Sequence, residues 1–141
     1  MIEKIKILKE KNDFTAISQL IPYSGVIGLD CKLENHVIVT QLKNLKSNIG
    51  NYQLDVLHGG AISALLEHSA ILQLIYEMHI KKLPKIINIT VEFIRPGKAK
   101  NTFASAKTIK LGQNVANMRS HAWQSNPEKI VAIAHSHFLL S

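Results

Sequence analysis

The sequence predicts an α+β protein in which a curved antiparallel sheet of about six strands wraps one long central helix. Three observations lead there. Between Ala61 and Ile80 no Pro or Gly interrupts a run rich in Ala and Leu, and an apolar stretch of that length favours helix over strand. From Ile87 the apolar pattern changes to period two. Only short turns separate the later strands, and short turns join antiparallel neighbours.

Taken in order, Ile2 to about Leu20 reads as amphipathic helix. Ile2, Ile5 and Leu8, then Phe14, Ile17 and Leu20, recur at helical spacing, and Asp13 is placed to cap an internal helix start. Pro22 and Gly25 are expected to end this N-terminal helical segment, residues 1–22. Gly25–Lys32 and His36–Lys43 follow as two expected strands turning at Glu34-Asn35, and the polar Leu45–Val56 stretch reads as a loop. The central helix is expected over residues 58–80. After it, Ile87, Ile89, Val91 and Phe93 alternate with Asn88, Thr90 and Glu92, and Arg95-Pro96-Gly97 closes the strand. Thr102–Leu111, Val115–Gln124 and Ile130–Leu140 complete the chain, with turns at Gly112-Gln113-Asn114 and Ser125-Asn126-Pro127-Glu128. No internal repeat, low-complexity tract or linker divides it, so residues 1–141 read as one domain.

The 141 residues suffice for a modest core, and 46% hydrophobic with 19% charged residues is ordinary for a soluble globular chain. The single cysteine, Cys31, excludes an internal disulfide and fits a reducing compartment. Charges directly after Met1-Ile2 do not make a signal peptide, and Glu67, His68, Gln73 and Glu77 interrupt the central run too often for a membrane span. The expected location is cytoplasmic. A formal charge of +7, spread over Lys4–Lys11, Lys81–Lys85 and Arg95–Lys110, favours an anionic partner. With no nucleic-acid motif and few aromatic residues, a small polyanionic ligand fits better than nucleic acid.

At about 100° per residue, Gly60, Ser63, Ala64, Glu67, Ala70, Ile71, Leu74 and Met78 share one stripe of the central helix. Every other member is apolar or small, so Glu67 sets a charge on a face expected to be buried. An ionised carboxylate there needs a partner or a raised pKa. No Lys or Arg lies between His58 and Ile80 to supply the partner. Glu67 is therefore a candidate functional acid, since perturbed carboxylates concentrate at active sites.

The segment Gly50-Asn51-Tyr52-Gln53-Leu54-Asp55-Val56-Leu57-His58-Gly59-Gly60-Ala61-Ile62-Ser63-Ala64-Leu65-Leu66-Glu67 carries a resemblance. It is similar to the signature of hotdog-fold acyl-CoA thioesterases of the phenylacetic-acid-degradation (PaaI-like) type. That signature has an upstream Asn, then His-Gly-Gly, then an acid seven residues after the second Gly, as Gly60 and Glu67 are spaced here. The strand ending Phe93-Ile94-Arg95-Pro96 and the last strand ending Phe138-Leu139-Leu140 resemble the family too, and the likeness runs from Gly25 to the C-terminus. The resemblance implies a hotdog fold and hydrolysis of an acyl-CoA to free acid and coenzyme A without metal or organic cofactor. Position by position, Glu67 matches the acid that activates water or attacks the thioester. Gly59 and Gly60 match the pair whose backbone N–H groups polarise the carbonyl, and Asn51 matches the Asn that holds water or acyl group. His58 matches the histidine of the turn. The chain departs from the pattern at Tyr52, where Pro is common, at Asp55, where Gly is common, and at His68, where Ser or Thr is usual.

Elementary physics supports those roles. The first N–H groups of a helix lack internal partners and carry positive partial charge, and glycine lets a ligand approach them. Gly59 and Glu67 are eight positions apart, however, which along a helix is roughly 12 Å. One short acyl group does not span that distance within a chain. Two chains packed antiparallel through their central helices bring Gly59 of one to Glu67 of the other, so a two-fold homodimer with composite sites is expected, with pairing of dimers into tetramers left open. Arg95, Lys98 and Lys100 are candidates for the phosphates of coenzyme A. The alternatives are a hotdog acyl-thioester hydratase or dehydratase, with His58 and Glu67 as its acid–base pair, and a non-catalytic acyl-CoA-binding module.

His135 and His137 share one strand face, but a zinc site needs three or four ligands and no Cys or acidic pair accompanies them. His68 points about 100° away from Glu67 around the helix and is not expected to share its site. His121, on the same parity as Trp123, reads as surface. The absence of a Gly-x-Ser-x-Gly turn argues against α/β-hydrolase chemistry.

Overall fold

A computed structural model describes residues 1–141 and shows the expected α+β arrangement. Three short helices, α1 (Ile2–Glu10), α2 (Phe14–Gln19) and α3 (Pro22–Ile27), precede a hairpin of β1 (Leu29–Glu34) and β2 (Val37–Leu42). A single 3-10 turn (Lys46–Asn48) and the small hairpin β3 (Ile49–Asn51) and β4 (Val56–Leu57) lead into the central helix α4 (Gly59–Glu77). The strands β5 (Lys85–Phe93), β6 (Thr102–Leu111), β7 (Val115–Trp123) and β8 (Ile130–Leu139) complete the chain.

The main sheet has six strands in the order β1-β2-β6-β7-β8-β5, all pairs antiparallel. Helix α4 lies across β2, β6, β7 and β8, which is the hotdog arrangement. Its sheet-facing residues Ile62, Leu65, Leu66, Leu72 and Ile75 are buried against Leu42, Ala104, Ala122, Ala132 and Phe138 and their neighbours. Small residues on the sheet's inner face let the helix seat closely.

Several local expectations are corrected. Asp13 does cap a helix, its carboxylate accepting from the Ala16 N–H at 3.1 Å. Pro22 and Gly25, however, do not end the helical segment. Pro22 opens α3 at its first turn, where its missing N–H has no cost, and Gly28 in the left-handed region at φ 76° ends it. Strand β1 consequently starts at Leu29 rather than Gly25. The hairpin turns at Asn35-His36, both at positive φ, as a tight two-residue turn requires. The Leu45–Val56 loop contains the β3–β4 hairpin, and α4 ends at Glu77, short of Ile80.

The alternation of β5 also holds only in part. Ile89 and Val91 pack on the core and Phe93, opposite Ala132, keeps their face though 53% exposed, whereas Ile87, 52% exposed, leaves it. A bulge between Ile86 and Asn88 leaves Ile87 as the extra residue and turns it outward. Strand β5 is an edge strand, hydrogen-bonded to β8 on one side only. No helix is long and apolar enough to cross a membrane.

Candidate active site

The chain entering α4 is held from two sides. His58 donates its backbone N–H to the Asn48 carbonyl at 2.7 Å, and Leu57 donates to the Gly97 carbonyl at 2.9 Å. Strand β3 passes so close that a side chain at Gly50 would lie 2.8 Å from His58 Cα. His58 is the N-cap residue, with Nδ1 accepting the Gly60 N–H at 2.8 Å. The Gly60 amide is thus engaged inside the chain, whereas the Gly59 N–H makes no hydrogen bond within it. Of the two amides singled out from the sequence, only that of Gly59 is free of a hydrogen bond within the chain, and the His58 ring caps the helix.

Gly59 opens onto a hollow of about 380 Å³ walled by Val56, Leu57, Ile62, Phe93 and the Ile94–Gly97 segment, with Arg95 its one charged residue. A Cβ at Gly59 would lie 3.2 Å from the Phe93 ring, so the glycine lets the aromatic edge approach the helix start. Asn51 is exposed, and its Oδ1 accepts from the Gln53 and Leu54 N–H groups at 2.9 and 3.1 Å. That carbonyl shapes the β3–β4 turn. Lys98 reaches this region through its backbone, bridged to Val56, while Lys100 turns away and donates to Ser125 Oγ at 2.8 Å. Of the three candidate cations only Arg95 lines the hollow.

Glu67 lies in a second hollow of about 190 Å³, bounded by Ile21, Tyr23, Ser24, Leu29, Ala64, His68 and Ile71. It is half-buried, and burial raises its pKa above the usual carboxylate value. The two ion pairs of the chain, Lys6–Glu3 and Lys32–Glu34, do not involve it. The Glu67 stripe is covered unevenly: Ala70, Leu74 and Met78 are buried in the core, whereas Ser63, Ala64, Glu67 and Ile71 are only partly covered, and part of their cover comes from α3. Glu67 and Gly59 thus sit in different hollows of one chain.

His68, expected to stand apart, lines the same hollow as Glu67. Its ring is buried and its Nε2 lies 2.7 Å from the Ser18 hydroxyl, with burial lowering its pKa to about 4. Ser18, Tyr23 and His68 were missed as site neighbours because their proximity depends on how α2 and α3 fold back. The departure from the family pattern at His68 was the one available signal. On the sheet's outer face, His137 Nδ1 pairs with Asn88 Oδ1 at 2.8 Å, and His121 stacks on Trp123 at 5.3 Å. No group of three or more His, Cys, Asp or Glu side chains converges on a metal-sized site.

The structure thus holds a helix start with a free amide beside one hollow and a carboxylate without an ion-pair partner in another. Residues 49–137, well over half of the chain, match the family model described as acyl-CoA thioesterase N-terminal domain, and the chain belongs to that family. A solved protein from Chromobacterium violaceum is 27% identical, with 99% of this chain and 97% of that one aligned at a TM-score of 0.80. Two further structures share the fold. One is a thioesterase from Haemophilus influenzae, 19% identical over 87% of this chain and 86% of that one at a TM-score of 0.77. The other is a phenylacetic acid degradation-related protein from Ralstonia eutropha, 17% identical over 84% and 89% at a TM-score of 0.74. No curated protein matches.

Proposed function

We propose that the protein hydrolyses an acyl-CoA thioester to a free acid and coenzyme A, in the manner of the phenylacetic-acid-degradation type, with no metal or organic cofactor. The observation that carries this reading is the division of labour just described: an ion-pair-free Glu67 in a largely apolar hollow and a free Gly59 amide in another. Two chains related by a two-fold axis supply each site with both. The exposed Ile87, Phe93 and Ile94 on and beside the open edge of β5 favour joining there, which continues the sheet and abolishes an unprotected edge.

In the composite site the thioester carbonyl lies against the partner's free amide. Glu67 takes a proton from water as the water oxygen attacks the carbonyl carbon. The carbonyl electron pair moves onto oxygen, where the helix-start N–H and its positive partial charge stabilise it. Collapse breaks the C–S bond, and the departing thiolate recovers the proton from Glu67. Burial makes the carboxylate a stronger base than a solvated one. Direct attack by Glu67 is the variant of this chemistry, and oxygen-isotope tracing in a single turnover distinguishes it. Arg95 at the mouth of the Gly59 hollow is the cation best placed for a coenzyme A phosphate.

The test is release of free thiol from a panel of acyl-CoAs. Release by the wild type that Glu67→Gln abolishes supports hydrolysis. Altered acyl chains without thiol release would instead indicate a hydratase, and binding without either reaction a carrier.

A further inference from the structure

Gln124, the residue after β7, is only 9% exposed, and hydrolysis makes no direct use of its side-chain amide. Its Oε1 accepts the Lys98 N–H at 3.2 Å, and its Nε2 donates to the Lys98 carbonyl at 2.8 Å and to the Thr102 hydroxyl at 3.0 Å. Because Lys98 presents both an N–H and a carbonyl, the orientation of the amide is fixed. Reversed, it would set donor against donor and acceptor against acceptor. Thr102 in turn donates to the Lys100 carbonyl at 3.1 Å. The opposite edge of the same segment pairs with β4. Leu57 donates to the Gly97 carbonyl at 2.9 Å and Ala99 to the Asp55 carbonyl at 3.0 Å, on either side of the Val56–Lys98 bridge. Residues 97–99 are thus held like a strand, with β4 on one edge and the Gln124 amide standing in for a neighbour on the other.

The clamped segment carries cations. A Cβ at Gly97 would lie 2.7 Å from Ile62 Cδ1, so that position faces α4 and the exposed Lys98 side chain points the opposite way. Arg95 lines the Gly59 hollow, and neither cation is in an ion pair. Both stand at a fixed offset from the Gly59 amide, because the Gly97 carbonyl holds Leu57, two residues before it. The amide has a second anchor that Gln124 does not touch, the Asn48 carbonyl on His58. A cation on a loose loop must be ordered as a phosphate binds, which weakens binding, whereas one on a clamped backbone is ordered beforehand. We infer that Gln124 is a positioning residue for coenzyme A. By clamping the Lys98 backbone it sets Arg95 and Lys98 to receive the substrate's phosphates while the thioester reaches Gly59. This rests on the thioesterase reading and adds how the chain distinguishes a coenzyme A thioester from one without phosphates.

The test compares kcat/KM for an acyl-CoA with that for the S-acyl-N-acetylcysteamine of the same acyl group, which keeps the thioester and lacks every phosphate. The ratio of the two is the readout, since a general weakening of the fold lowers both together and leaves it unchanged. Arg95→Gln combined with Lys98→Gln, both at exposed positions, should lower the ratio about tenfold, the lower end for one hydrogen bond to a charged group. Gln124→Met keeps the bulk, removes the clamp and should lower the ratio by a similar factor, through KM for the acyl-CoA rather than kcat. Thr102→Val, close in shape within its strand, removes one of the three contacts on the amide and should lower the ratio about twofold. Added to the Arg95→Gln, Lys98→Gln chain, Gln124→Met should change the ratio by less than about twofold, because it acts through those cations. A ratio that survives removal of the two cations would overturn the inference and leave the reaction standing. So would a ratio unmoved by Gln124→Met or, where that chain does not fold, by Thr102→Val, or a Gln124 effect that multiplies in full with theirs. No thiol release from either thioester by the wild type would overturn the reaction and this inference with it.

Discussion

The Ser18–His68 contact makes a quantitative prediction about acid stability. Burial lowers His68 from 6.5 to about 4 in the folded chain, whereas in the unfolded chain it regains its ordinary value. Between those two values the unfolded state binds the extra proton, so stability rises with pH and is lost as pH falls through that window. At 1.36 kcal/mol per pH unit the loss reaches about 3 kcal/mol by pH 4. His68→Gln keeps an amide that can pair with the Ser18 hydroxyl and has nothing to titrate. Urea unfolding followed by far-UV circular dichroism, for both proteins from pH 7 to pH 4, isolates the effect in the difference between them. Glu67, the neighbouring acid in the hollow, titrates in both proteins, and its contribution largely cancels. The wild type should lose about 3 kcal/mol relative to the variant across this range. A difference that stays flat with pH would show that the imidazole is not held neutral, and would refute the buried contact.

Three further outcomes follow from the site. Glu67→Gln should abolish thiol release and raise the thermal midpoint near neutral pH. Its raised pKa means the folded chain holds that proton more tightly, so the stability it confers is present below the ordinary carboxylate pKa and lost as pH rises through the folded value. For the same reason the acid limb of the wild-type rate profile should lie above the usual carboxylate range. Gly59→Pro removes the free amide at the first helical position, where proline is tolerated, and His58 already has the extended ψ of 131° that a following proline prefers. It should lower kcat by about 10²–10³ while circular dichroism shows the helix intact. Ile87→Lys sets a charge on the open edge of β5, and sedimentation should show monomers with thiol release lost.

The central helix was legible because its length and its lack of Gly and Pro leave no other structure, and the later strands because alternation and short turns repeat. Pro22 misled because proline is compatible with the first turn of a helix as well as with the end of one, and only the φ of Gly28 shows which applies. Ile87 misled because a bulge shifts the inward parity by one residue without any change in composition. At the site, the spacing of Gly59 to Glu67 was readable from helix rise alone. What the string did not reveal was which amide stays free, since that depends on the His58 ring turning its Nδ1 to Gly60. Nor did it reveal the company of Glu67, because α2 and α3 are distant in sequence and meet α4 only through packing. His68 was placed away from Glu67 by helical angle, yet a hollow wider than one stripe takes both.

Co-expression of Gly59→Pro and Glu67→Gln chains with different affinity tags, and isolation of the mixed dimer, tests the shared site most directly. Each parent homodimer should be inactive. The mixed dimer carries one site with Glu67 and the Gly59 amide both intact, so it should release thiol at about half the wild-type rate per dimer. A mixed dimer as silent as its parents would show that the two groups do not meet across chains, and would contradict the account.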